Sequence, residues 1–188
     1  MANRENILDK ALDLFTSRGY DAVGVQEIAE AAAITKPTLY HYFGSKQGLL
    51  KSLLTVRFDR LVEKVREAAR YAGDLPLSLR KIAAAYFGFA GEDPVSYRLL
   101  LSLFFAPREG GAAEAIGKIN GAQFSLLEEL FVGASADHGN MHGRHAMYAA
   151  TYLGLINNCI ALALNGYLEL DGALLERAVH QFEHGIYS

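Results

Sequence analysis

Apolar residues recur along this chain at intervals of three and four, and no run alternates apolar with polar for a useful length. Leu8, Ala11, Leu12 and Phe15 stand at i, i+3, i+4 and i+7, which is one face of a helix. Val25, Ile28, Ala29 and Ala32 make a second, shorter face. A far longer stripe follows Leu49, Leu50, Leu53, Leu54, Phe58, Leu61, Val62 and Val65, with Lys51, Arg57, Arg60, Lys64 and Arg66 on the other side. Residues spaced in this way cannot line one face of a strand, where side chains alternate. The fold class is therefore all-α.

Glycine and proline divide the stripes. Gly19 closes the first helix, as glycine does at helix C-termini. Thr35 is a good cap for a third helix over Lys36–Phe43, with Pro37 in its first turn, where a missing N–H costs nothing. Gly44 ends that helix and Ser45 caps the fourth, which the stripe carries to about Tyr71. Gly73-Asp74-Leu75-Pro76 is the sharpest break. Helices are expected next over Leu75–Gly91 and Pro94–Phe105, with Asp93 suited to cap the second. After a break at Pro107–Gly111, further helices are expected over Ala112–Val132, His142–Leu164 and Asp171–Ile186. The expected plan is an N-terminal three-helix part, residues 1–48, joined by the long fourth helix to a helical part, residues 49–188.

With 51% apolar residues the chain can bury a sizeable core, which argues against disorder. Cys159 is the one cysteine, so no internal disulfide is available. The first residues scatter charges among apolar positions and present no secretory h-region. A cytoplasmic protein is expected. His145–Leu168 carries no Lys, Arg, Asp or Glu and is long enough to span a bilayer. It also holds Thr151, Asn157, Asn158 and Asn165, and lacks flanking basic clusters, so a helix buried in a core or a subunit interface is the preferred reading. Net charge is −3, divided as +2 over residues 1–70 and −5 over residues 71–188. This suits an anion-binding N-terminal part and a C-terminal part that avoids anions.

Two short helices joined by a three- or four-residue turn, after a supporting first helix, describe a helix-turn-helix. Its second helix needs an apolar inward face and a polar outward one. Leu39, Tyr42 and Phe43 form the expected inward face. Lys36, Thr38, Tyr40 and His41 point elsewhere. The same geometry occurs in helical proteins that never touch DNA, so spacing alone does not decide the function.

The run VQEIAEAAAITKPTLYHYFGSKQGLL, Val25 to Leu50, resembles the DNA-binding signature of TetR-type transcriptional regulators, and the match extends back to Ile7. The resemblance implies a homodimer that places its third helices in successive major grooves of a palindromic double-stranded DNA operator. Carried over by position, Gln26, Thr35, Lys36, Pro37, Thr38, Tyr40, His41 and Lys46 would meet DNA. The chemistry fits: lysine neutralises phosphate, hydroxyls and helix-start N–H groups bond its oxygens, and glutamine can bridge adenine. Basic residues are sparse, so a modest salt slope per subunit and dependence on dimerisation are expected. Gly24 replaces the common Ser or Thr before the second helix, losing a side-chain cap. Ala33 stands where the turn often has glycine; a positive φ there would strain alanine, and a turn that adjusts is expected.

The resemblance also implies a small-molecule pocket in the C-terminal part and release of a repressor from its operator on binding. Phe87, Tyr97, Arg98, Phe104, Phe124, Tyr152, Asn157 and Asn158 are the candidate lining residues, for an apolar or aromatic effector with one or two polar groups. For any single ring, filling an ordinary core is the preferred reading. His138, His142 and His145 have ligand-like spacing, as do His180 and His184, but glycines interrupt the first set and no metal site is expected. Ala146, Ala149, Ala150, Gly154, Ala161 and Ala163 allow close helix approach, so the last two helices are the expected dimer interface. No phosphate loop, nucleophile elbow or paired-cysteine motif points to catalysis or a cofactor. The rival is a helical small-molecule-binding or catalytic protein that uses its N-terminal module for protein contacts.

Overall fold

A computed structural model describes residues 4–106 and 109–185. The described residues form α1 (Arg4–Arg18), α2 (Val25–Ala31), α3 (Lys36–Phe43), α4 (Lys46–Ala68), α5 (Leu75–Glu92), α6 (Pro94–Phe104), α7 (Gly111–Ala134), α8 (His145–Leu164) and α9 (Gly172–His184), with a short 3-10 helix at Gly139–Met141. No strand occurs among them. The expected break at Pro107 and the expected end of the last helix at Ile186 lie outside the described residues. The eighth helix begins later than the spacing suggests. Gly143 takes φ +70 after the 3-10 turn, a left-handed backbone that no α-helix continues through.

The described residues fall into two compact units, one through Asp59 together with Val95–Lys118, the other Arg60–Pro94 together with Ile119 onward. In the first unit α1 packs on α2 and α2 on α3. Ile7, Leu8, Ala11, Leu12 and Phe15 from α1 meet Ile28, Ala29, Leu39 and Phe43 in its core. The first half of α4 adds Leu49, Leu50, Leu53, Leu54 and Phe58, none more than 1% exposed. Each such side chain contributes about 1.5–3 kcal/mol by leaving water. A Cβ on Gly48 would overlap the Phe43 carbonyl oxygen, so the start of α4 can lie this close to the end of α3 only with glycine there. Tyr97, Leu99, Leu100 and Leu103 of α6, and Ala112, Ala115 and Ile116 of α7, are also buried in this unit. Glu114 accepts from Lys51 and from Gln47, each at 2.6 Å, and the lysine above all holds its carboxyl below the usual range. Arg57 pairs with Asp9.

In the second unit α5 packs on α8 and α9, and α8 on α9. Leu79, Ile82, Tyr86, Phe131, Tyr152, Ile156, Ile160 and Val179 are buried in it. Buried phenols need partners. Tyr86 donates to Gln123 Oε1 at 2.8 Å and Tyr152 to the Leu79 carbonyl at 2.6 Å. Burial pushes both hydroxyls above their usual range. Among the described residues α8 is long and apolar enough to cross a membrane by length and composition, with a mean hydropathy of 1.4. It is two-faced. Ala149, Tyr152, Leu153, Ile156, Cys159 and Ile160 are buried, and Met147, Ala150, Thr151, Gly154, Asn158 and Leu162 are exposed. Burial also pushes the Cys159 thiol up, keeping it a small hydrophobe.

Candidate nucleic-acid interface

Residues 32–35 form the turn between α2 and α3. It is held from both sides. The Ala32 N–H donates to the Ile28 carbonyl at 3.0 Å, Ala33 to Glu30 at 3.0 Å and Ile34 to Ala29 at 2.9 Å. Asn6 of α1 reaches the Ala32 carbonyl at 3.4 Å. Ala33 has φ +54, the one non-glycine residue with positive φ among those described. The expectation that the turn would adjust is therefore corrected. The bonds on either side of Ala33 hold the left-handed geometry, and alanine carries the strain.

α3 starts as its local signals require. Thr35 Oγ1 accepts from the Thr38 N–H at 3.3 Å and lies 2.9 Å from Thr38 Oγ1. Pro37 fills the first turn, and Gly44 at φ +72 ends the helix. Leu39 and Phe43 are buried, at 0% and 8% exposed, and dock the helix on its neighbours. Tyr42 does not join them. It is 44% exposed, because an eight-residue helix on a small core buries only its i and i+4 positions. Thr35, Lys36, Pro37, Tyr40 and His41 are all exposed, and Thr38 is half-buried. Among the described residues Lys36 makes no ion pair or hydrogen bond. A capped helix N-terminus with a free ammonium and hydroxyls beside it is suited to phosphate oxygens.

Two expected contact residues are otherwise engaged. Gln26 is exposed on α2 but donates to Glu30 Oε1 at 2.6 Å. The Lys46 Nζ donates to the Asp21 carbonyl at 3.4 Å and lies 4.2 Å from the centre of the Tyr20 ring. Desolvation pushes its amine below the usual range, against the pull of Asp21 and Glu27. Lys46 thus ties down the segment between α1 and α2. The lost side-chain cap at Gly24 is offset in part: Glu27 Oε2 accepts from the Gly24 N–H at 2.8 Å, and Glu27 Oε1 meets Arg18 at 2.6 Å. Glu27 stands three residues after the cap position, the spacing of a capping box, so this was readable in the sequence. Arg4, 5.3 Å from the centre of the Phe43 ring, was missed and carries no periodic signal.

The eight candidate effector residues are divided between the two units. Tyr97, Arg98 and Phe104 belong to the first unit and Phe87, Phe124, Tyr152, Asn157 and Asn158 to the second. Tyr97 and Tyr152 are buried, Arg98 and Asn158 are exposed, and Phe104 is 52% exposed beside Phe105. Phe124 and Asn157 are half-buried. Phe87 lines a groove of about 420 Å³ with Ala84, Gly88, Leu170 and Leu175. His138 precedes the 3-10 helix, and the rings of His180 and His184 lie tilted to each other with centres 4.4 Å apart on α9.

Residues 7–53 match the family of bacterial regulatory proteins, tetR family. The chain is 30% identical over 182 residues to the HTH-type transcriptional activator FasR of Mycolicibacterium smegmatis, covering 97% of this chain and 81% of that one. It is 39% identical over 183 residues to the HTH-type transcriptional repressor ComR of Escherichia coli, covering 93% and 83%. Among solved structures, the transcriptional regulator FadR of Bacillus subtilis in complex with stearoyl-CoA superposes with a TM-score of 0.81 at 18% identity, covering 98% of this chain and 100% of that one. The last is a likeness of fold.

Proposed function

Since the chain belongs to the tetR family of bacterial regulatory proteins, and is thereby a DNA-binding transcriptional regulator and not an enzyme, we propose that it acts as an effector-released repressor on a palindromic operator. The observation that carries this reading is the capped, exposed N-terminus of α3 with an unpaired Lys36 beside it. In the proposed complex α3 of each subunit enters one major groove, the two about 34–36 Å apart. Thr35, Lys36 and Thr38 take phosphate, and Tyr40, His41 and Gln26 face base edges, with Gln26 released from Glu30. Lys46 supports the site from behind. The DNA-binding part is residues 1–48, and residues 49–188 carry dimerisation and effector binding.

Dimerisation is assigned to α8 and α9. The exposed row Met147, Ala150, Thr151, Gly154, Asn158 and Leu162 is charge-free and small enough for close approach by the same row of a second copy. The effector is a small, largely apolar molecule. It releases DNA by preferring a dimer whose α3 spacing no longer matches the grooves, and it lowers operator affinity only by that preference, about 1–3 kcal/mol. FasR is named an activator, so activation is the second reading.

The test is selection of genomic fragments by the purified protein at low and high salt, followed by titration of the selected site with wild type and Lys36→Ala. Each phosphate contact adds about 0.9 to the salt slope, so losing one per subunit should lower it by about 2 for a dimer. An unchanged slope would remove Lys36 from the interface. Reporter transcription from the selected site decides between repression and activation.

A further inference from the structure

A cavity of about 200 Å³ lies within the second unit, where the start of α5, the end of α7, the start of α8 and the end of α9 converge. Leu79 and His138 form part of its wall, and the rest that matters is aromatic and acidic: Phe131, Tyr148, Phe182 and Glu183. The three rings are one cluster, with centroids 5.5 Å apart for Phe131 and Tyr148, 6.0 Å for Phe131 and Phe182, and 6.4 Å for Tyr148 and Phe182. Arg144 already stacks over Tyr148, 5.1 Å from its centre.

Glu183 is out of place in such a wall. Its side chain is 16% exposed, and its Oε1 is buried with no hydrogen-bond partner among the described residues. A buried carboxylate oxygen without a donor is costly, and a bound N–H group that reached it would remove that cost. The neighbouring cations do not. His184 Nε2 stands 3.9 Å from the other oxygen, too far for a hydrogen bond. Arg80 feels the charge of Glu183 but bonds Glu176 at 3.1 Å.

Aromatic faces attract cations, and a carboxylate supplies both the counter-charge and an acceptor for N–H. The cavity exceeds the roughly 150 Å³ of an apolar cavity that takes benzene. It has room for one ring or a short apolar stem with an ammonium. We propose that this cavity is a binding site for a small organic cation, with the ammonium on Glu183 and its stem against Phe131, Tyr148 and Phe182. The proposal rests on the effector-responsive reading above and names the chemical class of the effector.

The probes are phenethylamine, phenethyl alcohol and hydrocinnamate, which share a phenylalkyl stem and differ in charge. Calorimetric titration of the full-length protein should show the amine binding about tenfold or more tightly than the alcohol, and the carboxylate not at all. Glu183→Gln keeps the shape and removes the charge, so its amine affinity should fall to that of the alcohol. An unchanged far-UV circular dichroism spectrum of the free variant shows that the fold is intact. An amine that binds no better than the alcohol, an amine that does not bind, or a Glu183→Gln variant that keeps wild-type amine affinity overturns the proposal. Operator titration with the amine present is read separately. Binding with the expected charge preference but without release leaves the site standing and refutes the effector reading alone.

Discussion

Replacing Ala33 with glycine should make this protein more stable. Ala33 sits in the helix-turn-helix turn at φ +54. An L-residue in left-handed backbone costs about 1–2 kcal/mol relative to its usual conformations, and glycine avoids that cost. The position is exposed, so deleting the methyl group removes no core packing. The bond from its N–H to the Glu30 carbonyl, 3.0 Å, survives the change. Against the gain, glycine gives the unfolded chain more conformations to lose, about 0.4–1 kcal/mol. The balance favours Ala33→Gly by about 0.5–1 kcal/mol, or a rise of about 1–4 °C in Tm for a chain of this length. Urea unfolding of both proteins, followed by circular dichroism at one protomer concentration, reads the difference. Operator affinity should not change, because the turn keeps its geometry. A variant less stable by 1 kcal/mol or more, on the order of the strain itself, would refute the reasoning and mean that the alanine methyl makes contacts worth more than the strain it causes.

Gly48→Ala should do the opposite. The new Cβ would overlap the Phe43 carbonyl oxygen, a backbone atom that cannot swing aside, so the urea midpoint should fall by the equivalent of about 1–3 kcal/mol, and operator affinity should fall with it as α3 shifts. Tyr86→Phe leaves the buried Gln123 Oε1 without its donor at 2.8 Å and should cost about 1–3 kcal/mol, most of it recovered by the further change Gln123→Leu. Glu27 has a carboxyl held below its usual value of 4.5, first by the Gly24 N–H and then by Arg18. Its folded value lies under its unfolded one, so its contribution is fully present above pH 4.5 and is lost as pH falls through the folded value. Urea midpoints measured from neutral pH into this acid range should therefore fall less steeply for Glu27→Gln than for the wild type, and parallel curves would contradict the shift.

The ends of α3 were legible in the sequence because their causes are local. Thr35, Pro37 and Gly44 act on backbone groups within four residues of themselves, and the helix runs over Lys36–Phe43 as those residues require. The stripe from Leu49 to Val65 likewise announced a long α4 and its buried face, since periodicity needs no knowledge of the partner. Exposure of a single side chain is another matter. Tyr42 has the spacing of a core residue but lies 44% exposed, because the helices around α3 leave room for only Leu39 and Phe43. Lys46 is expected at DNA from its place in the motif, and nothing along the chain foretells that Tyr20 and Asp21 meet it across a loop. Ala33 stands out in the sequence as an alanine where such a turn often has glycine, but only the bonds on both sides of it impose its positive φ. The cavity beside Glu183 is the furthest from the sequence. Phe131, Tyr148 and Glu183 come from different helices, and neither the volume they enclose nor the missing partner of one carboxylate oxygen exists until tertiary packing sets the distances between them. Caps and periodicity are properties of neighbours along the chain, and a cavity is a property of neighbours in space.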